Sequence, residues 1–388
     1  MTPADDIWRT HARSLADDVA PASTAWRRAI TQTPRHTFTP RVWELRDGRP
    51  HLTEANTIPE TVYSDRTLTT QLGTLHADHA TGSEEPDWLP TSSSPAPSLA
   101  LRMIEHAYML EGLRLLIVGT GSGYSTALAC HRYGDDCVTT IDVDPYLTDA
   151  ASQRLASLNY RPEIITADAT AVPLAHYDRI VSMVSVPGIP RTWLDALNPG
   201  GRLVAPISGT CLLIKVHKHP DGQLTARTAR DYAEFMPTRH GPNGPTPLPE
   251  RIPWALDLAG EHVTTGGYPA LRNNWEFETI VRLALGVEIY YMLRGDVHTT
   301  LLADLPRRGE WSWARVEYRD GWAPVVHQAG RRRLWDELDR LAPDYLMNGA
   351  LSIFDAPVEV QPDGTASLQW GTHTLTLPPA PQPAHAAS

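Results

Sequence analysis

The chain has 388 residues, 41% of them hydrophobic and 20% charged, a length that favours two domains and a composition that fits a globular protein. Its formal net charge of -11 offers no basic field to a phosphate backbone, so nucleic acid is not an expected partner and a small or cationic substrate suits the surface better. Cys130, Cys137 and Cys211 form no C-x-x-C pair, which predicts neither a disulfide framework nor a zinc site. No basic-then-apolar leader opens the chain and no apolar run approaches the roughly 18 residues of a membrane span, so a cytoplasmic protein with no membrane partner is expected.

Apolar positions between Ile7 and Thr31 recur at helical spacing and predict two short helices divided near Pro21. From Thr33 to Pro97 the chain is rich in Pro, Thr, Ser, Gly and Asp, strand-like only at Thr61-Val62-Tyr63, and is expected to be an irregular cover over a substrate. Strands and helices then alternate. Ser98 to Leu110, Tyr124 to Tyr133, Tyr146 to Leu158 and Arg191 to Leu197 read as helices. Leu113 to Gly119, Cys137 to Val143, Glu163 to Ala167, Arg179 to Val184 and Leu203 to Ile207 read as strands. That order predicts an α/β fold with a doubly wound, mostly parallel sheet, its core between Pro97 and Lys218.

Six prolines between Pro237 and Pro253 predict a linker. Beyond it a helix from Thr279 to Leu285, strands at Glu288 to Leu293, Trp311 to Tyr318 and Ala323 to His327, and a helix from Arg331 to Leu341 predict a smaller α+β module. The expected organisation is a catalytic domain over 1–236, a linker over 237–253, an accessory domain over 254–377 with peptide binding as one expected role, and a mobile tail over 378–388.

Val118-Gly119-Thr120-Gly121-Ser122-Gly123-Tyr124 lies between an apolar strand and a helix, where absent Cβ atoms allow a tight turn and close ligand approach. A structural turn and a nicotinamide or flavin site are alternatives, but the spacing is G-x-G-x-G rather than G-x-G-x-x-G and no G-K-[ST] follows. The spacing resembles the first motif of S-adenosylmethionine methyltransferases. Asp142, at the end of the next strand, is placed to accept ribose hydroxyls, Asp144 to cap the helix opening at Pro145, and Asp168 either to reach an adenine amino group or to close a turn. The cofactor-binding set expected is Val118, Gly119, Thr120, Gly121, Gly123, Tyr124, Asp142 and Asp168, with no metal, since the histidines follow no ligand pattern.

Three stretches together resemble the protein-L-isoaspartate O-methyltransferase family. They are Thr33-Pro34-Arg35-His36-Thr37-Phe38-Thr39-Pro40, the glycine motif with Tyr124, and Leu197-Asn198-Pro199-Gly200-Gly201-Arg202-Leu203-Val204-Ala205-Pro206. The resemblance spans Trp26 to Gly209 and departs from the family pattern at three positions. Pro95 falls where the family's Ser-x-Pro has its serine, with Ser93 and Ser94 as substitutes one or two residues away, or as parts of a plain serine-rich turn. Val118 replaces an acidic residue that often precedes the glycines, and Ala169 replaces a glycine after Asp168. Thr61 to Gln71, Gly309 to Ala314 and Gly330 to Asp336 instead look like actinobacterial relatives that modify ribosomally made peptides, with Trp311, Trp313, Trp322 and Trp335 equally suited to anchoring a peptide or to filling a small core.

The resemblance implies S-adenosylmethionine as cofactor and, as partner, a precursor peptide already macrocyclised, whose aspartate carboxylate is esterified. The next backbone nitrogen can then expel methanol and leave an aspartimide or, after hydrolysis, isoaspartate. An ionised carboxylate needs little acid or base help, so alignment and desolvation are the tasks, with Ser93, Ser94, Tyr63 and Arg66 as candidates to fix the carboxylate. Alternatives are a general isoaspartyl repair enzyme, a non-catalytic binding scaffold, and an oxidoreductase using NAD.

Overall fold

The computed structural model describes residues 3–86, 89–241, 255, 257–265, 271, 272, 274–304, 311–319, 321–347 and 352–377. The expected tail over 378–388, most of the expected linker, and Gly309 and Glu310 lie outside them.

Its centre is a parallel sheet. Strands β6 (Leu115–Val118), β7 (Val138–Asp142), β8 (Glu163–Thr166), β9 (Tyr177–Ser182) and β10 (Leu197–Pro206) pair in parallel in the order β8-β7-β6-β9-β10. All four residues of β6 are buried because both faces are covered: Leu115 and Ile117 enter one core while Leu116 and Val118 enter the other. The first core is closed by α1 (Pro3–Val19), α2 (Thr24–Gln32), α5 (Pro97–His106) and α6 (Tyr124–Tyr133). Asp144 caps α7 (Pro145–Ser157) by accepting the Tyr146 N–H at 3.0 Å, with Pro145 in the first turn, where its missing N–H costs nothing.

Residues 33–97 are not irregular. They hold α3 (Arg35–Phe38), α4 (Pro59–Val62) and a five-stranded antiparallel sheet of β1 (Arg41–Arg46), β2 (Arg49–Glu54), β3 (Leu68–Leu72), β4 (Leu75–His76) and β5 (Pro90–Ser94). The strand expected at Thr61-Val62-Tyr63 is instead the end of α4, because Pro59 starts a helical turn. A small core of Trp43, Leu72, Ala77 and Ala80 suffices for this sheet, which is why so little apolar periodicity marks it.

The parallel sheet continues in antiparallel fashion through β11 (Leu212–Lys218) and β12 (Leu224–Tyr232), and then through β18 (Pro357–Val360), β19 (Ala366–Trp370) and β20 (His373–Leu377). The last three belong to the stretch expected as a separate accessory domain. The rest of that stretch forms a second antiparallel sheet, β13 (His262–Thr265), β14 (Glu288–Arg294), β15 (Val297–Asp304), β16 (Ser312–Tyr318) and β17 (Val325–Ala329). Its helices are α8 (Trp275–Leu285) and α9 (Leu334–Met347). Their buried faces join the second core of the parallel sheet, so Phe277, Leu302 and Leu338 share one apolar cluster with Leu116 and Val118. Trp313 and Trp335 are buried in these cores, whereas Trp322 is 75% exposed. Among the described residues no helix is long and apolar enough to cross a membrane.

Candidate active site

The strand order reverses between β6 and β9, and in an open parallel sheet ligands bind beyond the strand carboxyl ends at such a point. A cleft opens there. Its floor is Val118, Gly119, Thr120, Gly121 and Ser122, its walls include Asp142, Asp168 to Thr170, Met183 and Val184, and its mouth carries Thr67, Thr91, Ser92, Ser93 and Pro95.

Gly119 has φ +90°, and a Cβ there would stand 2.9 Å from Val184 Cγ1, so backbone freedom and space both demand glycine. Gly121 has φ +51°, with the Ser93 carbonyl 3.1 Å from where its Cβ would be, which shows how closely β5 rests on the loop. Gly123 and Tyr124, expected beside a cofactor, do not line the cleft. Gly123 caps α6 with φ +88° and packs on Ala151, while Tyr124 is buried against Phe38 with the Arg35 guanidinium 5.4 Å from its ring centroid.

Asp142 Oδ2 accepts the Gly121 N–H at 3.0 Å and Oδ1 accepts the Asp144 N–H at 3.1 Å. Burial pushes its carboxyl above the ordinary value, against those two N–H groups and Arg239, which pull it down. Asp144 goes the other way. Burial raises its carboxyl too, but the His76 hydrogen bond at 3.2 Å, the charge on His76, the Tyr146 N–H and Arg239 outweigh this and leave it below the ordinary value. Of the two roles expected of Asp168, the structure shows the turn: Oδ1 accepts the Thr170 N–H and hydroxyl, while Oδ2 pairs with His240 Nδ1 at 2.7 Å beside the cleft.

Arg239 and His240 come from the expected linker, and its first residues are a strap over the site. Ser185 donates its N–H to the Met236 carbonyl and accepts that of Thr238, seating Pro237, Thr238 and Arg239 on the cleft wall. The composition of 237–253 gives no hint of this, since the strap is held by backbone bonds to a segment remote in sequence.

Of the residues expected to fix a carboxylate, Ser93 lines the cleft and the other three do not. Ser94 is fully buried, with its hydroxyl unpartnered among the described residues. Tyr63 is buried under Trp8 and His11, with its hydroxyl 2.7 Å from His36 Nδ1, and burial pushes its pKa up. Arg66 is exposed and contributes its carbonyl to Arg35.

Arg35 is the organiser that the sequence reading passed over. Fully buried, it donates to the carbonyls of Val62, Ser64, Arg66, Ser94 and Pro95 at 2.8 to 3.4 Å, and burial lowers its pKa to about 10. One guanidinium thus ties the segment before Thr67 to the strand bearing Ser93, using the planar fork that lysine lacks. Its place within the Thr33 to Pro40 motif was the available signal.

A doubly wound parallel sheet with a glycine floor and a carboxylate at the neighbouring strand tip defines a Rossmann-like α/β protein with its cleft at the topological switch point. A sequence profile described as protein-L-isoaspartate(D-aspartate) O-methyltransferase matches residues 55–240. Relatives named protein-L-isoaspartate O-methyltransferase include one from Methylibium petroleiphilum, 35% identical over 37% of this chain and 57% of its own. Another, from Thermococcus onnurineus, is 34% identical over 34% of this chain and 63% of its own. A third, from Pyrococcus abyssi, is 32% identical over 40% of this chain and 74% of its own. The chain belongs to the protein-L-isoaspartate O-methyltransferase family. It spans 57% and 63% of the first two relatives, and residues 241–388 lie beyond the matched profile.

Proposed function

We propose that the chain is an S-adenosylmethionine-dependent carboxyl O-methyltransferase acting on isoaspartyl residues of proteins or peptides. The observation that carries this reading is the make-up of the cleft: Gly119 and Gly121, both at positive φ, give it a floor of backbone, and the Asp142 carboxylate stands at the tip of β7 beside them. Gly119, Thr120 and Gly121 would hold the amino acid portion of the cofactor, Asp142 its ribose, and Asp168 its adenine. S-adenosylmethionine, when bound, supplies an electrophilic methyl group.

The rest of the task falls to the chain. An isoaspartyl carboxylate is ionised at neutral pH and is its own nucleophile, so no general base is required. Thr67 and Ser93 at the mouth would offer hydroxyls to orient it, and Leu99, Met183 and Phe235 supply apolar wall that would remove water from it. Residues 234–239 also line the cleft.

A second reading is the one that the peptide-modifying resemblance suggested, esterification of an aspartate side chain in a constrained precursor peptide on the way to aspartimide. It is favoured by Pro95, which stands on the cleft wall where a serine was expected, and by the large region outside the matched profile. The family assignment favours the first reading. Incubation with methyl-labelled S-adenosylmethionine and either a linear isoaspartyl peptide or a macrocyclised aspartyl peptide tests both: label on the first supports isoaspartyl methylation, and label on the second alone would overturn it.

A further inference from the structure

A basic face lies away from the methylation cleft. Arg202 on β10 stands directly opposite His217 on β11, and Val204 directly opposite Lys215, so Arg202, Lys215 and His217 project from one face of the sheet. They line an open cleft of about 790 Å³ crossing β10, β11, β12 and β18. Arg202 lies over the exposed Tyr108 ring, 4.7 Å from its centroid, and the rings of His217 and His219 are 4.2 Å apart.

This face lacks counter-charge where the cations cluster. The side chains of Arg202 and Lys215 have no hydrogen bond or ion pair with an acceptor among the described residues. The carboxylates nearby are otherwise engaged: Asp231 holds Arg102 and His106, and Asp355 holds Arg227 and Arg230. Glu359 on β18 lines the far end of the cleft, beyond the His217 to Thr225 pairing. Burial first, and then Arg202, His219 and Arg179, lower the His217 pKa, as expected of cations gathered without an anion. On a chain of net charge -11 such a cluster opposes the prevailing field and calls for a ligand to complete it.

We propose that this face binds an acidic segment of the peptide substrate, at a distance from the residue that is methylated. A lone phosphate is too small for a cleft that crosses four strands, while an extended peptide presents carboxylates at matching intervals and apolar groups to Tyr108. Arg202 lies beside Arg179 in the first half of β9, and the methylation cleft opens beyond its far end. At about 3.3 Å per residue the two sites are roughly 13 Å apart along the strand. The inference rests on the proposed action on peptides.

The test uses two isoaspartyl peptides, alike around the methylated residue, one extended by a run of glutamates and the other by glutamines. The glutamate peptide should show a KM about tenfold lower at low salt, the gap closing at high ionic strength, with kcat equal for both. Arg202→Glu combined with Lys215→Glu should erase the gap and leave turnover of the glutamine peptide unchanged. The milder Arg202→Gln with Lys215→Gln should narrow it and serves if charge reversal impairs folding. Equal KM values on the unaltered protein, or a gap that survives both double variants, would overturn the proposal. Should neither peptide be turned over, the proposed reaction fails, and anisotropy of a labelled glutamate peptide still reads the surface. Loss of that binding in the double variant supports it. Absence of binding, or displacement by inorganic phosphate beyond that by chloride at equal ionic strength, contradicts it.

Discussion

The Asp142 carboxylate accepts the N–H of Gly121 at 3.0 Å, so the tip of β7 and the floor of the cleft are tied together by the chain itself. A site built this way spends little binding energy on ordering its own loop. Asp142→Ala should therefore do two kinds of damage. Releasing the N–H groups of Gly121 and Asp144 costs about 1 to 3 kcal/mol of stability, seen as a lower Tm. As the proposed ribose acceptor is lost, S-adenosylmethionine binding should weaken about 100-fold in a calorimetric titration, consistent with two charge-assisted bonds. Asp142→Asn, which keeps one acceptor oxygen, should fall between.

The two neighbouring carboxylates predict opposite acid limbs. Asp142 has a raised pKa, so it adds stability when protonated, an amount fully present below the unfolded value and lost as pH rises through the folded value. The proposed ribose contact needs the ionised form, so cofactor affinity should decline on acidification at a pH above the ordinary carboxylate range, and Asp142→Asn should flatten that limb. Asp144 has a lowered pKa, so its contribution is present above the unfolded value and lost as pH falls through the folded value. Denaturation midpoints measured against pH should show this loss, and His76→Ala should diminish it.

Arg35→Lys should keep the charge and lose the architecture. An ammonium has three donors against five carbonyls, so two or more charged hydrogen bonds disappear, at roughly 1.5 to 3 kcal/mol each. The loosened segments are those bearing Thr67 and Ser93, not the glycine floor. The KM for an isoaspartyl peptide should therefore rise more than the Kd for S-adenosylhomocysteine, and equal changes in the two would contradict the role given to Arg35.

Ser93 and Ser94 should separate by function. Ser93→Ala removes a hydroxyl from the cleft and should reduce kcat/KM several-fold at little cost in stability. Ser94→Ala deletes a buried hydroxyl with no partner among the described residues and should leave stability unchanged or raise it by about 1 kcal/mol, with kcat unaltered. Tyr63→Phe should act like a core change, lowering Tm by loss of the bond to His36 while turnover of the folded protein persists.

The parallel sheet was legible because β6 is a continuous apolar run that ends at Gly119 and because strand-like and helical stretches alternate after it. Asp144 as a helix cap and Asp168 as a turn residue were likewise readable from their places after strands. The sheet of residues 41–94 was not, since strands such as Arg49–Glu54 and Pro90–Ser94 are polar, and their pairing is settled by a few buried contacts around Trp43. Nor could pattern alone place Arg239 and His240 over the cleft or pair Val358 with Ala226, since such contacts join positions far apart in the chain. Tyr124 was misjudged for a related reason. It follows the glycines directly, yet the helix it opens turns its ring into the core.

The central claim, that the cleft is shaped for a sulfonium nucleoside, is tested most directly by titrating the protein and its Asp142→Ala variant with S-adenosylhomocysteine and with NAD in a calorimeter. The account predicts saturable heat from S-adenosylhomocysteine at one site per chain, greatly weakened in the variant, and none from NAD. Heat from NAD alone, or S-adenosylhomocysteine binding that ignores the loss of Asp142, would contradict it.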